Sequence, residues 1–404
     1  MQVRGNLWRI YLFIISNSII ALILLGVFQW NKVKKDADTE LRYLNDVSFT
    51  STRAMLDYQK SLLNNLSEEI LTLELLQNID KLSTTINRVV KNNPEVSAFM
   101  VRDPEGKLIL TSSEIKTIDN LPSLLDDSLT QYNFQRTLAQ HKPVIGSNRF
   151  IPLLNKQIIA VHYAVRKNGN VIAVLTSAIE HSIDRYAWNN SQLTRGTILQ
   201  LFREDYHFIY SSRPQYQLDP KEYLIPIPTE MVDYFIGQLQ IQAGVSPEEL
   251  RSKGELISVN ALHEPGMDAL FTIRYEPYYR YYTLSSIERS SLYDEFLPTL
   301  IWQIAIISTF NLLLFLMFNF FNREQKDSQK RLLFQAHHDQ LTGLPNRYYL
   351  AKHFDNWSQS CEGKFSVFLL ILIISKSSMT TMAIQQATKY LSRWHDASKR
   401  SLKI

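Results

Sequence analysis

The chain has a single cysteine, Cys361, among 404 residues. No disulfide can form within one chain, and any core must be held by packing alone. Neither charge dominates: 43 Lys and Arg stand against 39 Asp and Glu, a net charge of +4, and the basic residues are spread along the chain. Nucleic-acid binders gather Lys and Arg into a patch or stripe, so nucleic acid is not expected as a partner. No Gly-Gly pair occurs anywhere, which excludes any motif built on one. Apolar bulk is plentiful: the 20 Tyr and 20 Phe supply enough large apolar surface to build a core without covalent ties. Length alone suggests two or three domains.

Two runs lack charge altogether. Residues 10–30 are broken only by Ser16, Asn17, Ser18, Gly26 and Gln29, long enough to span a hydrocarbon core as a helix. A cleaved signal peptide would have a shorter apolar core and a small-residue cleavage site. Phe28-Gln29-Trp30-Asn31 is not such a site, so the run reads as an uncleaved anchor. The second run covers 299–321, with Asp294 and Glu295 before it and Arg323, Lys326, Lys330 and Arg331 after it. Basic flanks stay in the cytoplasm. The expected topology is two-pass in a bacterial inner membrane, with the lipid bilayer as a partner. Residues 1–9 and both chain ends are then cytoplasmic, and 31–298 form a periplasmic domain.

That domain opens with helical spacing: Met55, Tyr58, Leu62, Leu66, Ile70 and Leu73 recur every three or four positions. After Asn92-Asn93-Pro94 the pattern becomes strand, turn, strand. Asp103-Pro104-Glu105-Gly106 supplies the first turn, and Lys167-Asn168-Gly169-Asn170 joins 158–165 to 171–179. A third hairpin is read at 197–202 and 207–210, and more strand sequence at 270–285. One long helix followed by repeated hairpins resembles the double Cache sensor family, two stacked PAS-like α/β modules. The phrase Val101-Arg102-Asp103-Pro104-Glu105-Gly106-Lys107 and the succession Ile151-Pro152, Ala164-Val165 and Val171 to Leu175 carry the likeness. It implies an unknown small-molecule ligand, such as an amino acid or carboxylate, held in the distal module.

Arg149, His162, Tyr163, Arg185 and Trp188 are candidate ligand-binding residues, because a pocket needs a few placed polar groups. Each is also readable as a surface arginine or a half-buried aromatic. The Tyr-dense run 275–282, with Arg274 and Arg280, suits a membrane interface or, more simply, a packed strand.

Residues 322–335 are charged and helix-prone, a connector. Then comes Asp339-Gln340-Leu341-Thr342-Gly343-Leu344-Pro345-Asn346-Arg347. Asp339, Leu341, Thr342, Gly343, Leu344, Asn346 and Arg347 match, position for position, the opening signature D-x-L-T-G-L-x-N-R of the GGDEF (diguanylate cyclase) family. Tyr348 to Trp357 resembles that fold's first helix, and Lys364 to Leu370 its first strand. The expected architecture is therefore α/β (α+β). A double PAS/Cache-like sensor lies between two transmembrane helices, followed by a short N-terminal fragment (336–370) of an α/β GGDEF domain. The resemblance implies a dimeric receptor that condenses two GTP into cyclic di-GMP with Mg²⁺.

The pattern then stops. The family's strand ends in D-x-D-x-F-K, whose first aspartate holds magnesium, a cation that prefers hard oxygen ligands. Here Leu370 is followed by Ile371-Leu372-Ile373-Ile374-Ser375-Lys376. With 57 residues after Arg347, the domain reads as truncated. Codon structure suggests how. Met is ATG and Ala begins GC, so Met382-Ala383 must contain GGC, glycine, in the frame starting on the last base of ATG. By the same step Met379-Thr380 contains GAC, aspartate. Across 371–391 permitted codons in that frame spell D-L-D-N-F-K-V-I-N-D-N-Y-G-H-S-A-G-D-K-V-L, the family's next motifs. A frameshift beside Leu370 is expected, with 371–404 out of frame. The chain as written should have no catalytic residues, no metal site and no cofactor of its own. The alternative is a non-enzymatic ligand-binding sensor, or a mixed-dimer partner of an intact cyclase. A histidine kinase would need a phosphoacceptor such as His337 or His338 and an ATP-binding domain after it, for which there is no room.

Overall fold

A single helix, α1 (Gln2–Thr72), carries the chain from the first apolar run into the first sheet. The structure, a computed structural model, describes residues 2–112, 128–151, 156–180, 196–212, 221–261, 268–360 and Lys389. They fall into two compact units, one of 23–302 and one of 1–22 with 303–404.

In the 23–302 unit the chain forms two five-stranded antiparallel sheets with helices. After α2 (Ile79–Asn92) come β1 (Val96–Arg102), β2 (Leu108–Thr111), α3 (Ser128–Ala139), β3 (Val144–Ile151), β4 (Lys156–Lys167) and β5 (Asn170–Glu180). The second set is β6 (Thr197–Arg203), β7 (Phe208–Ser211), α4 (Thr229–Ala243), α5 (Pro247–Lys253), β8 (Ile257–Ala261), β9 (Ala269–Glu276) and β10 (Tyr281–Glu288). The first sheet runs β2-β1-β5-β4-β3 and the second β7-β6-β10-β9-β8, the same order moved five strands along.

The duplication extends to single hydrogen bonds. Ser112 exchanges bonds with the main chain of Phe99, its Oγ accepting from Phe99 N at 3.2 Å. Ser212 does the same with Leu199, at 2.7 Å. Each first hairpin carries a bulge before an arginine or beside it, at Val101/Arg102 and Leu201/Phe202. A left-handed residue closes each turn, Gly106 in one and Tyr206 in the other.

Local chemistry explains the helices. Asn78 caps α2 by accepting from Lys81 N, and Leu82, Thr85, Ile86 and Val90 form its buried stripe. Ser246 and Glu249 close a capping box on α5, with Pro247 in its first turn and Gly254 at φ 61° after it. The buried stripe of α1 follows 33, 37, 41, 45, 48, 52, 56, 59, 63, 66 and 70, one face of a 3.6-residue helix. Tyr58 and Leu73, placed on that stripe by spacing, are exposed. The stripe turns polar in the middle, at Asn45, Ser48 and Thr52, which apolar spacing does not reveal. Beside the first sheet it is apolar: Met55, Leu56, Leu63, Leu66 and Ile70 meet Phe99, Ile159, Val161 and Leu175 in one core.

The Tyr-dense run is core. Tyr275, Tyr279, Tyr281 and Tyr282 are all buried across β9, its turn and β10. Tyr279 Oη donates to Asp57 Oδ1 at 2.7 Å and Tyr281 Oη to Phe49 O at 3.3 Å, both on α1. The packed-strand reading therefore stands, because these side chains fill the junction of helix and sheet. The second apolar run lies in α6 (Arg289–His337), which continues without a break through the connector segment. Both α1 and α6 contain stretches long and apolar enough to cross a membrane.

In the other unit Tyr11 packs its ring on Phe315 and Phe318, at centroid distances of 6.0 and 5.4 Å. Helix α7 (Arg347–Ser360) follows the turn after α6. The strand read at 364–370 and the segment 371–404, apart from Lys389, lie outside the described residues.

Candidate functional site

Strand alternation sorts the proposed ligand residues of the first module. His162 pairs with Val144 and Thr176, and Arg149 with Ile158, two positions further along that face of β4. Arg149 and His162 therefore share the face turned away from α1. Tyr163 points the other way: its hydroxyl donates to Asn64 Oδ1 of α1 at 3.1 Å. Arg185 and Trp188 lie outside the described residues.

His162 is buried, its Nδ1 lying 2.9 Å from Thr176 Oγ1. Burial, with the guanidinium charges of Arg102, Arg203 and Arg149 behind it, lowers its pKa from 6.5 to about 3. The ring is therefore neutral in a cationic setting. Arg102, missed in the sequence, pairs with Val174 on this face, is almost fully buried, and donates from Nη1 to Gly106 O at 3.0 Å. The signal was present, since Arg102 ends a strand in which Ser97 is the one other polar residue. Gly146 makes room for the imidazole: a Cβ there would lie 2.5 Å from His162 Nε2. This face joins neutral hydrogen-bonding groups to buried positive charge, chemistry suited to a carboxylate.

The second module contains a cavity of about 820 Å³ between its sheet and α4 with the 221–228 segment. Its floor is Phe202, Phe271, Tyr282 and Leu284, and its roof Met231, Phe235 and Leu239. Phe235 and Phe271 pack at 4.4 Å between centroids. Arg251 Nε donates to Tyr282 Oη at 2.8 Å at one end. Asp268, Glu288, Ser290 and Tyr293 line the other. Of these residues only Tyr282 was noted in the sequence, as part of the Tyr-dense run and not as a ligand residue; alternation along β10 was the available signal.

The signature segment forms a tight turn between α6 and α7. Asp339 Oδ1 accepts from the amides of Leu341 and Thr342 and from Thr342 Oγ1, at 3.1, 2.9 and 3.0 Å. These bonds hold its carboxyl below the usual carboxylate range. Gly343 takes φ 69°, a conformation costly for a residue with a Cβ. Asn346 caps α7, its Oδ1 accepting from Tyr348 N and Tyr349 N at 3.0 Å each, while its Nδ2 donates to Ala336 O at 2.8 Å. Leu341 is exposed, Leu344 half-buried and Arg347 exposed. Asp339 and Asn346 thus have structural roles: they stop one helix and start the next. Among the described residues no group of three or more His, Cys, Asp or Glu side chains could hold a metal ion.

No family model matches this sequence, and no curated protein matches it. Among solved structures it is similar to the sensory domain of the Campylobacter jejuni chemoreceptor Tlp3 with isoleucine bound. Identity there is 14%, over 66% of this chain and 98% of that one, with a TM-score of 0.40. It is also similar to the ligand-binding domain of the Pseudomonas fluorescens chemoreceptor CtaA in complex with L-isoleucine, at 12% identity over 66% and 98%, TM-score 0.42. The extracellular domain of a candidate histidine kinase, soHK1S-Z6, is similar at 14% identity over 66% and 99%, TM-score 0.46.

Proposed function

We propose that this chain is a two-pass membrane receptor whose segment 31–298 binds a small molecule outside the cytoplasm. The observation that carries it is continuity. Helix α1 contains one apolar run and then lies along both sheets; α6 starts directly after β10 and contains the other. A change in either sheet has a covalent path to a spanning helix. The basic residues Arg323, Lys326, Lys330 and Arg331 follow the second run on α6 and support a cytoplasmic far end. The face bearing Arg102, Arg149, His162 and Thr176 is the proposed seat of a small carboxylate, such as an amino acid. Dimerisation through the two helices would carry the signal.

The output segment resembles the start of a diguanylate cyclase domain, and its turn uses the signature residues in a way that supports the resemblance. Catalysis does not follow from that. The family's metal position holds Ile371, Leu372, Ile373 and Ile374, which offer no oxygen ligand to Mg²⁺. The residues present do not fit the metal, and we infer a receptor that makes no cyclic di-GMP. A non-enzymatic sensor, pairing with an intact cyclase, is the reading this favours. The frameshift beside Leu370 would account for it.

Full-length protein in lipid nanodiscs should yield no cyclic di-GMP with GTP and Mg²⁺; product formation would overturn that inference. In a Cys361→Ser background, cysteine labelling of Asn31→Cys and Ser328→Cys should place 31 outside and 328 inside. The opposite result would remove the receptor reading.

A further inference from the structure

The cavity of the second module supports an inference that rests on the receptor reading but concerns a different module and a different ligand. We propose that it binds an apolar molecule with a positively charged head, an alkylammonium-type amphiphile. The apolar body lies along the sheet and the head sits at the end nearest α6.

Shape comes first. Alternate residues of β10, from Tyr282 through Leu284 and Ser286 to Glu288, line the cavity. At roughly 3.3 Å per residue that path is about 20 Å long. With a volume of about 820 Å³, the space suits an elongated occupant and lies in the usual range of small-molecule sites.

Polarity then gives direction. The inner end is aromatic, with Phe202, Phe208 and Tyr282, and Phe271 lies further out, opposite Ser286. The outer part carries Glu222, Asp268 and Glu288, and among the described residues the lining includes no Lys or Arg. Asp268 is matched by Arg289 at 2.7 Å, while among the described residues Glu288 accepts only from Ser290 Oγ at 3.3 Å. The net negative charge there would repel a carboxylate head and attract an ammonium.

Gln200 adds a neutral polar group to the lining. Its side chain lines the cavity and the residue is nine-tenths buried. Among the described residues its Nε2 donates to Ser211 Oγ at 3.5 Å, and the amide can also bond a polar atom of a ligand.

The site is also placed to report occupancy. Tyr293 of α6 lines the cavity and stacks on Trp30 of α1, at 5.1 Å and 13° between planes. A head group settling between Glu288 and Tyr293 therefore touches the contact that joins the two helices.

The test uses the full chain in nanodiscs, titrated calorimetrically with octylammonium, octanol and octanoate, with empty discs subtracted. Octylammonium should bind about tenfold or more tighter than octanoate. Ser286→Phe, which fills the groove, should abolish binding without loss of the melting transition; Ala269→Leu serves if the first variant does not fold. Combining Glu222→Gln with Glu288→Gln should erase the preference for the cation and leave octanol binding unchanged. Octanoate binding as tightly as octylammonium would overturn the assignment, as would binding that survives groove filling, or no binding of any probe. Wrong topology with intact octylammonium binding would remove the receptor reading and leave this one. Correct topology without binding does the reverse.

Discussion

Asn45 and Thr283 form a closed hydrogen-bonded pair between α1 and β10. Thr283 Oγ1 donates to Asn45 Oδ1 at 2.8 Å, and Asn45 Nδ2 returns a bond to Thr283 O at 3.1 Å. The same Nδ2 reaches Thr272 O at 3.1 Å, and the hydroxyls of Thr272 and Ser285 both bond Leu41 O. Asn45, Thr272, Thr283 and Ser285 are all fully or almost fully buried. The helix is thus held to the second sheet by a cluster of buried directional bonds as well as by apolar packing, while on the first sheet apolar packing is joined by single bonds such as Ser177 Oγ to Gln59 Oε1 at 2.8 Å.

Asn45→Ala should therefore destabilise the second module by about 1–3 kcal/mol, since it strands buried acceptors and a hydroxyl. Thermal unfolding of the full chain in nanodiscs measures it. A change within error would mean that the polar seam contributes nothing.

Gly146 is required by His162. A Cβ at 146 would lie 2.5 Å from Nε2, 3.0 Å from Cδ2 and 3.1 Å from the Ala160 Cβ. Gly146→Ala should cost about 1–3 kcal/mol through overpacking. In a His162→Ala background the same change should cost markedly less, so the double-mutant cycle gives a coupling energy well away from zero.

The neutral state of His162 makes stability depend on pH. Its folded pKa is about 3 against 6.5 for the free side chain. Between those values the unfolded chain binds a proton that the folded chain does not, so stability rises with pH across the window and is complete above 6.5. It is lost progressively as pH falls from 6.5 toward 3. Replacing the imidazole by the non-titrating amide in His162→Gln should flatten the slope of melting temperature between pH 5 and 6.5. An unchanged slope would show that the imidazole already titrates in the folded protein.

The turn between α6 and α7 depends on two side chains. Asn346→Ala removes the cap of α7 and should cost that helix about 1 kcal/mol, roughly a fivefold loss of amide protection at Tyr348 and Tyr349. Asp339→Ala should do the same for the amides of Leu341 and Thr342. Hydrogen exchange reads both, and unchanged protection would remove the structural role assigned to the signature.

Much of the first module was legible because its signals are local. Asp103 to Gly106 spells its turn, and 158–165 with 171–179 alternates cleanly into β4 and β5. Helix α4 was not legible, because it is apolar nearly all round: Ile241 is exposed while Leu239 is buried. The doubling of the module was expected from the resemblance, but its shared details, bulges, Ser-to-backbone bonds and strand order, were not, since none of them requires similar residues.

The candidate ligand residues show the limit most clearly. His162 and Tyr163 are neighbours in sequence, yet the pleat sends one to the buried face with Arg102 and Arg149 and the other to α1. Which residues can be neutral, charged, or adjacent depends on what packs above them.

The amino-acid sequence by itself determined where two membrane-length apolar runs lie, where the chain turns, and which signature starts the last segment. Composition, φ preference and capping are properties of a few consecutive residues. Only the tertiary structure decided that the polar cluster of α1 meets the second sheet, that His162 stays neutral, and that a long acid-rimmed cavity lies beside α6. Those depend on burial and on side chains brought together from distant positions, and no local pattern encodes either.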